Sequence, residues 1–254
     1  LGGGVITDMG GFVANTFKRG IDFVNIPTTL LSMVDASVGS KTGINFNNLK
    51  NQIGTFADPK LVIIDEKYLE TLNKREIKSG YAEIFKHSLI SGSIFNLLIE
   101  KRQIYYDEKI INNSIQIKNK IVSDDKFEKN IRKNLNFGHT VGHALETYFL
   151  NKENKLLHGE AIVIGMICES YISNKILNLD IDLIKKIKNH LLGIYPKVNL
   201  RQDKYEEIIK LMTFDKKNHS GKLKFVLLKE LGIVKNDVEV SENLIKESFN
   251  FYLS

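Results

Sequence analysis

The chain has 254 residues, 36 Lys and Arg against 30 Asp and Glu, a formal net charge of +6 and 43% apolar residues. That is enough for one large or two modest domains with a sizeable core. It excludes intrinsic disorder, since Ile, Leu, Val and Phe recur throughout and no low-complexity tract dilutes them. The longest apolar run, Ala161 to Cys168, is far short of the roughly 20 residues that cross a bilayer. The lone Cys168 inside it reads as a packed thiol in a reducing, cytoplasmic compartment. The modest charge comes without an aromatic-studded basic sheet or zinc-knuckle spacing, so small anionic ligands suit it better than nucleic acid or membrane.

In chain order, Leu1-Gly2-Gly3-Gly4 opens without Met or an apolar leader, and a glycine run of this kind normally follows a buried strand. The sequence therefore reads as starting inside a motif. Up to about residue 66, short apolar runs alternate with helix-like segments: Phe23-Val24-Asn25-Ile26-Pro27, then Leu61-Val62-Ile63-Ile64-Asp65. These predict β/α units with buried parallel strands over 1–66. From Asn73 onward, apolar residues at three- and four-residue spacing predict helices around 74–90, 93–103, 108–123, 135–149, 158–178, 180–192 and 203–213, a helical domain over 67–254. A small hairpin at 224–228 and 232–234 and a closing helix at 241–253 complete the reading. The fold class is α/β: a partial parallel-sheet domain followed by a mainly helical one.

Several strings could carry chemistry. Gly2-Gly3-Gly4-Val5-Ile6-Thr7-Asp8 puts bare backbone at a strand-to-helix turn, where a pyrophosphate could sit on a helix N-terminus; its spacing is not the standard dinucleotide one, so a structural turn is an equal reading. Pro27-Thr28-Thr29 could cap a helix or touch a ligand. Val34-Asp35-Ala36-Ser37-Val38-Gly39-Ser40-Lys41-Thr42-Gly43 ends like a Walker A loop, but the glycine spacing rejects it. What remains is a polar loop carrying Asp35 and Lys41, followed by Lys50 and Asn51. His139 and His143 stand at i, i+4 beside Gly138 and Gly142, two glycines that cost a helix about 1 kcal/mol each and so imply close approach. His158 opens the next helix, and Glu83 shares a face with Lys86 and His87. One carboxylate and two imidazoles make a catalytic zinc pattern, and spacing leaves open whether His143 or His158 partners His139. His87, His190 and His219 read as packing or surface residues. A basic set, Arg19, Lys41, Lys50, Lys86, Lys118, Arg132 and Lys216, would suit a substrate with carboxylate and phosphate groups.

Taken together, these strings resemble 3-dehydroquinate synthases. The resemblance rests on Gly2-Gly3-Gly4-Val5 with Asp8, Lys18-Arg19-Gly20, Pro27-Thr28-Thr29, Val34 to Gly43, Lys50-Asn51, Ala82-Glu83 with Lys86, Asn136 with Gly138-His139-Thr140 and Gly142-His143, His158-Gly159-Glu160, and Asp215 to Asn218. Members of that family have roughly a hundred further residues before the glycine run, and a Gly where Ser40 stands here. The resemblance implies an NAD- and divalent-metal-dependent (Zn²⁺ or Co²⁺) lyase of the shikimate pathway, forming 3-dehydroquinate and phosphate from 3-deoxy-D-arabino-heptulosonate 7-phosphate, in a homodimer. By the same resemblance, Glu83, His139 and His158 would bind the metal. Lys41, Asn51, His143 and Lys216 would hold the phosphate end, with Arg19 reaching in from a neighbouring subunit. Lys118 and Arg132 would take the carboxylate, and Asp35, Lys86 and Asn136 would position hydroxyls. Gly3, Gly4, Val5, Asp8, Thr28, Thr29, Lys41, Lys50, Tyr68 and Thr71 would line the cofactor. Other sugar-phosphate cyclases, such as 2-deoxy-scyllo-inosose synthase, share this machinery without a substrate carboxylate. A non-catalytic truncated fragment is the reading from outside enzymology.

Overall fold

A computed structural model describes residues 1–46, 49–215 and 223–254, with the side chains of 49–51 and 214–215 outside the description. Contacts divide the chain into two compact units: Leu1–Ile84 with Tyr106–Glu128, and Phe85–Tyr105 with Lys129–Ser254. The sequence places its change of regime at 66/67. The contact division falls later because the helix beginning at Lys74 packs its first turns with the α/β residues, and because 106–128 returns to them.

In the first unit, Gly2 bridges Pro27 in parallel, its N–H donating to Ile26 O at 3.1 Å while Thr28 N donates to Gly2 O at 2.9 Å. Helix α1 (Gly4–Thr16) follows directly, so the glycine run is a strand-to-helix turn. Strands β1 (Val24–Asn25), β2 (Lys41–Phe46), β3 (Leu49–Phe56) and β4 (Leu61–Val62) form two separate pairs: β1 parallel to β4, and β2 antiparallel to β3. The parallel strands exist, but the expected burial does not: Val24 is 47% and Leu61 55% exposed. The polar loop read at 34–51 is also corrected. It is a single π-type turn, Ser32–Ala36, followed by the β2–β3 hairpin. Ser40, immediately before β2, stands at φ +64°, in the left-handed region glycine enters without penalty, and its hydroxyl donates to the Asp58 carboxylate. Helix α2 (Lys74–Ser91) starts on an Asn73 cap, whose side chain accepts from Arg75 N at 2.8 Å. It runs through the division between the units.

In the second unit come α3 (Phe95–Lys101), α5 (His139–Phe149), α6 (His158–Leu177), α7 (Ile181–Ile194), α8 (Tyr205–Asp215), the antiparallel pair β5 (Lys224–Glu230) and β6 (Ile233–Glu239), and α9 (Glu242–Leu253); α4 (Glu108–Asp124) belongs to the first unit. Each predicted helix is present. The one expected at 135–149 begins only at His139: Ile131–Asn136 is a tighter turn, and Gly138 at φ +81° breaks the backbone before α5. Over Ala161–Cys168 helix α6 is buried on all sides, as that unbroken apolar run requires, and Cys168 is wholly buried with its thiol pushed up by desolvation. Among the described residues no helix is long and apolar enough to cross a membrane.

Candidate active site

In the second unit, three imidazoles gather. The ring centroids of His139, His143 and His158 lie 5.1, 5.5 and 5.9 Å apart in pairs. The first two rings project from the opening turns of α5 and the third from the first residue of α6. The helices can bring them together because glycines line their contact. A Cβ on Gly165 would sit 1.9 Å from Gly138 O, and one on Gly142 would sit 2.6 Å from Ile162 Cδ1. Close approach is thus the reason for the two glycines beside the histidines. His139 Nδ1 lies 3.1 Å from Phe137 O, and His158 Nδ1 lies 3.2 Å from the Glu146 carboxylate. Each hydrogen bond occupies Nδ1 and leaves Nε2 as the nitrogen that could ligate an ion. His139 and His158 each offer a ring nitrogen, and these lie within 4.8 Å of each other. This is the chemistry of a divalent-metal site built on imidazole, with a carboxylate orienting one ring. Arg132 and Lys86 are buried in this unit, Asn136 is half-buried, and His87 is fully buried. His190 stacks on Phe85 with centroids 5.0 Å apart, and burial lowers its pKa to about 4. It is a neutral packing histidine, as its sequence context predicts.

The first unit assembles a second polar cluster. Lys118, on α4, donates to Asp35 Oδ1 at 2.6 Å and also to the Asp35 main-chain oxygen. The side chains are 9% and 25% exposed, so this ion pair is largely removed from water. Glu83 is fully buried on α2, and a carboxylate oxygen of Asp35 lies within 4.8 Å of one of its own. Asp8, one helical turn into α1, faces the same group. Together with Lys41, Thr42, Gln52 and Thr55 it lines a cleft of about 410 Å³. Lys41 is exposed and paired with Glu128. The N-cap of α1 is Gly3, which offers no side-chain cap. Gly3 and Gly4 are needed where Cβ atoms would come within 3.0 Å of Thr29 Cγ2 and 3.1 Å of Ala36 Cβ. Thr29 spends its hydroxyl on Ser32, at 2.9 Å, so capping a turn accounts for that side chain. Arg19, Val5, Tyr68 and Thr71 are exposed. Lys50 and Asn51 are described only as backbone of β3, and Lys216 and His219 lie outside the described residues.

Burial, then the charge of Asp35, pushes the Asp8 carboxyl up to about 7, against a smaller opposing pull from Lys118. Folded Asp8 thus keeps a proton that the unfolded chain releases near 3.8. The associated stability is full below that value, falls as pH rises from there to about 7, and is gone above it. Asp8→Asn, which cannot ionise, should gain on the wild type across this window, by on the order of 1–3 kcal/mol at its top, and gain nothing more above it. Urea melts at intervals between pH 4 and pH 8 measure the gap. A gap that stays constant with pH would contradict the raised pKa.

Two carboxylates escape detection in the sequence. Glu146 orients His158, and Glu169 accepts from main-chain N–H groups at the start of α5. Glu146 stands at i+7 from His139, on the same helical face, a spacing that could have flagged it. Glu169 carries only the signal of a charged residue adjoining the apolar run that ends at Cys168.

The chain matches the 3-dehydroquinate synthase N-terminal family over residues 1–79 and the 3-dehydroquinate synthase C-terminal family over residues 80–218. It is 44% identical over 257 residues to the 3-dehydroquinate synthase of Parabacteroides distasonis, covering 99% of this chain and 73% of that protein. The chain belongs to the 3-dehydroquinate synthase family. Solved structures of sugar-phosphate cyclases are similar at lower identity. The 2-epi-5-epi-valiolone synthase of Streptomyces hygroscopicus, with NAD⁺ and Zn²⁺ bound, superposes with a TM-score of 0.85 at 27% identity, covering 99% of this chain and 72% of its own. A 2-deoxy-scyllo-inosose synthase complexed with carbaglucose-6-phosphate, NAD⁺ and Co²⁺ gives the same TM-score, identity and coverage. The α/β fold class read from the sequence is therefore that of these cyclases.

Proposed function

We propose that the chain converts 3-deoxy-D-arabino-heptulosonate 7-phosphate into 3-dehydroquinate and phosphate, as a phosphorus–oxygen lyase that uses NAD and a divalent ion, Zn²⁺ or Co²⁺. The observation that carries this reading is the match to both 3-dehydroquinate synthase families together with 44% identity to a 3-dehydroquinate synthase over 99% of the chain. The donor chemistry supports it. His139 and His158, with ring nitrogens within chelating reach, and the buried carboxylate of Glu83 would hold the ion. The uncapped α1 N-terminus behind Gly3 and Gly4 would take the dinucleotide phosphates, near Asp8, Thr28, Thr29, Tyr68 and Thr71. Bound NAD would supply reversible oxidation of one hydroxyl, and the ion Lewis acidity at neighbouring oxygens.

The chain's own residues then have separable tasks. Lys41, Asn51, His143 and Lys216 hold the phosphate end, and His143 carries a proton there. Arg132 takes the carboxylate. Asp35, held by Lys118, and Lys86 with Asn136 orient hydroxyls. Arg19, exposed on its turn, serves the site of a second subunit in a homodimer.

Phosphate release and dehydroquinate formation, followed together with NAD and Co²⁺ present, test the proposal. Turnover of a carboxylate-free hexose phosphate in preference to the seven-carbon acid would move the chain to the inosose-type cyclases. Arg132→Ala should lose a charge-assisted contact of about 1.5–3 kcal/mol, raising KM roughly 10- to 150-fold with NAD affinity intact. An unchanged KM would remove Arg132 from the carboxylate.

A further inference from the structure

Glu169 is wholly buried three turns along α6 from His158, outside the set of residues that would hold the ion. Its two carboxylate oxygens accept from the opening amides of α5: Gly138 N–H at 2.6 Å and Val141 N–H at 3.2 Å. The N-cap of α5 is Gly138 itself, at φ +81° and with no side chain to offer. The cap is therefore delivered from a different helix. A carboxylate here meets unsatisfied amides and the positive end of the helix dipole together, so both bonds are charge-assisted.

What those bonds fix matters for the histidines. The glycine contacts of α5 with α6 set how closely the two helices approach, but bare backbone against bare backbone leaves the sliding and rotation of the first turn of α5 loosely specified. Directional hydrogen bonds remove that freedom. His139 follows Gly138 immediately, and its Nδ1 is bonded back to Phe137 O. The ring is thus oriented by the same three-residue turn whose middle amide Glu169 holds.

We propose that Glu169 is a positioning residue that locks the first turn of α5 onto α6 and so keeps the His139 ring at chelating distance from that of His158. The proposal rests on His139 and His158 being metal ligands. Co²⁺ titration of the whole chain, followed through the visible absorption of the bound ion, tests it without recourse to turnover. Glu169→Gln preserves volume and one acceptor; Glu169→Met preserves length and accepts neither bond. Co²⁺ Kd should rise roughly tenfold in the first and toward a hundredfold in the second, the range seen when outer partners of metal ligands are lost. The visible band should change shape as the ring reorients. Thermal midpoints of the ion-free proteins, taken in parallel, separate this from a loss of fold. Binding by Glu169→Gln within about twofold of wild type, with an unchanged band, would overturn the proposal whatever the midpoint does. The ligand assignment has its own control: His158→Ala binding Co²⁺ as the wild type does would overturn that assignment and the proposal with it.

Discussion

His158→Ala should lose the divalent ion, whereas His143→Ala should retain it and lose turnover instead. Proximity does not separate the two histidines, because all three rings lie within 5.1–5.9 Å of one another. The i, i+4 spacing of His139 and His143 favours the other pair. Orientation separates them. His158 is the first residue of α6, and its Nδ1 lies 3.2 Å from the Glu146 carboxylate, which leaves Nε2 as the nitrogen that would ligate an ion. His139 is committed in the same sense by Phe137 O. On the proposed assignment, removing either ring takes away one of three protein ligands, a larger loss than the roughly 10- to 100-fold that follows removal of an outer partner. His143→Ala should leave Co²⁺ affinity within about threefold of wild type while abolishing phosphate release. Metal content after dialysis, read beside turnover, decides the matter. Ion retained by His158→Ala and lost by His143→Ala would reverse the assignment.

Helix α6 is legible because its run Ala161–Cys168, buried on every face, is apolar on every face, and its start at His158 coincides with the end of a polar stretch. The β5–β6 hairpin announced itself through Val226-Leu227-Leu228, a run with no polar face to expose as a helix. The β2–β3 hairpin did not. Gly43 and Gly54 stand opposite each other in it, and glycine in strand interiors argues against strands unless two backbones must come close. They must here: a Cβ on Gly54 would lie 2.3 Å from Thr42 O. The histidines were legible as candidates, since their spacing is local. Glu169 was not, because its role exists only once α5 and α6 lie side by side, and Glu146 offered no more than its i+7 spacing from His139.

Lys118→Met should cost the fold about 2–4 kcal/mol and abolish activity as well, an effect that separates a structural ion pair from a free substrate-binding cation. Lys118 is the partner of Asp35, through both the carboxylate and the main-chain oxygen, at a site where the lysine side chain is only 9% exposed. Truncating one member of such a pair leaves the other charge with its desolvation cost and without its attraction, which in buried pairs amounts to about 3–5 kcal/mol. Asp35 is a quarter exposed, so water recovers part of that. The neighbourhood worsens the loss. Glu83 and Asp35 offer carboxylate oxygens within 4.8 Å of each other, and Asp8 is already pushed up to about 7 by burial and by Asp35. Removing Lys118 takes away a positive charge that opposes the upward shift of Asp8 and holds Asp35. The double variant Asp35→Asn, Lys118→Met should therefore be more stable than Lys118→Met alone, because the stranded charge is gone. Urea unfolding of the wild type, both single variants and the double variant completes the cycle. A Lys118→Met protein as stable as wild type, with only KM raised, would mean that Lys118 is held ready for substrate and that its bond to Asp35 contributes nothing to the fold.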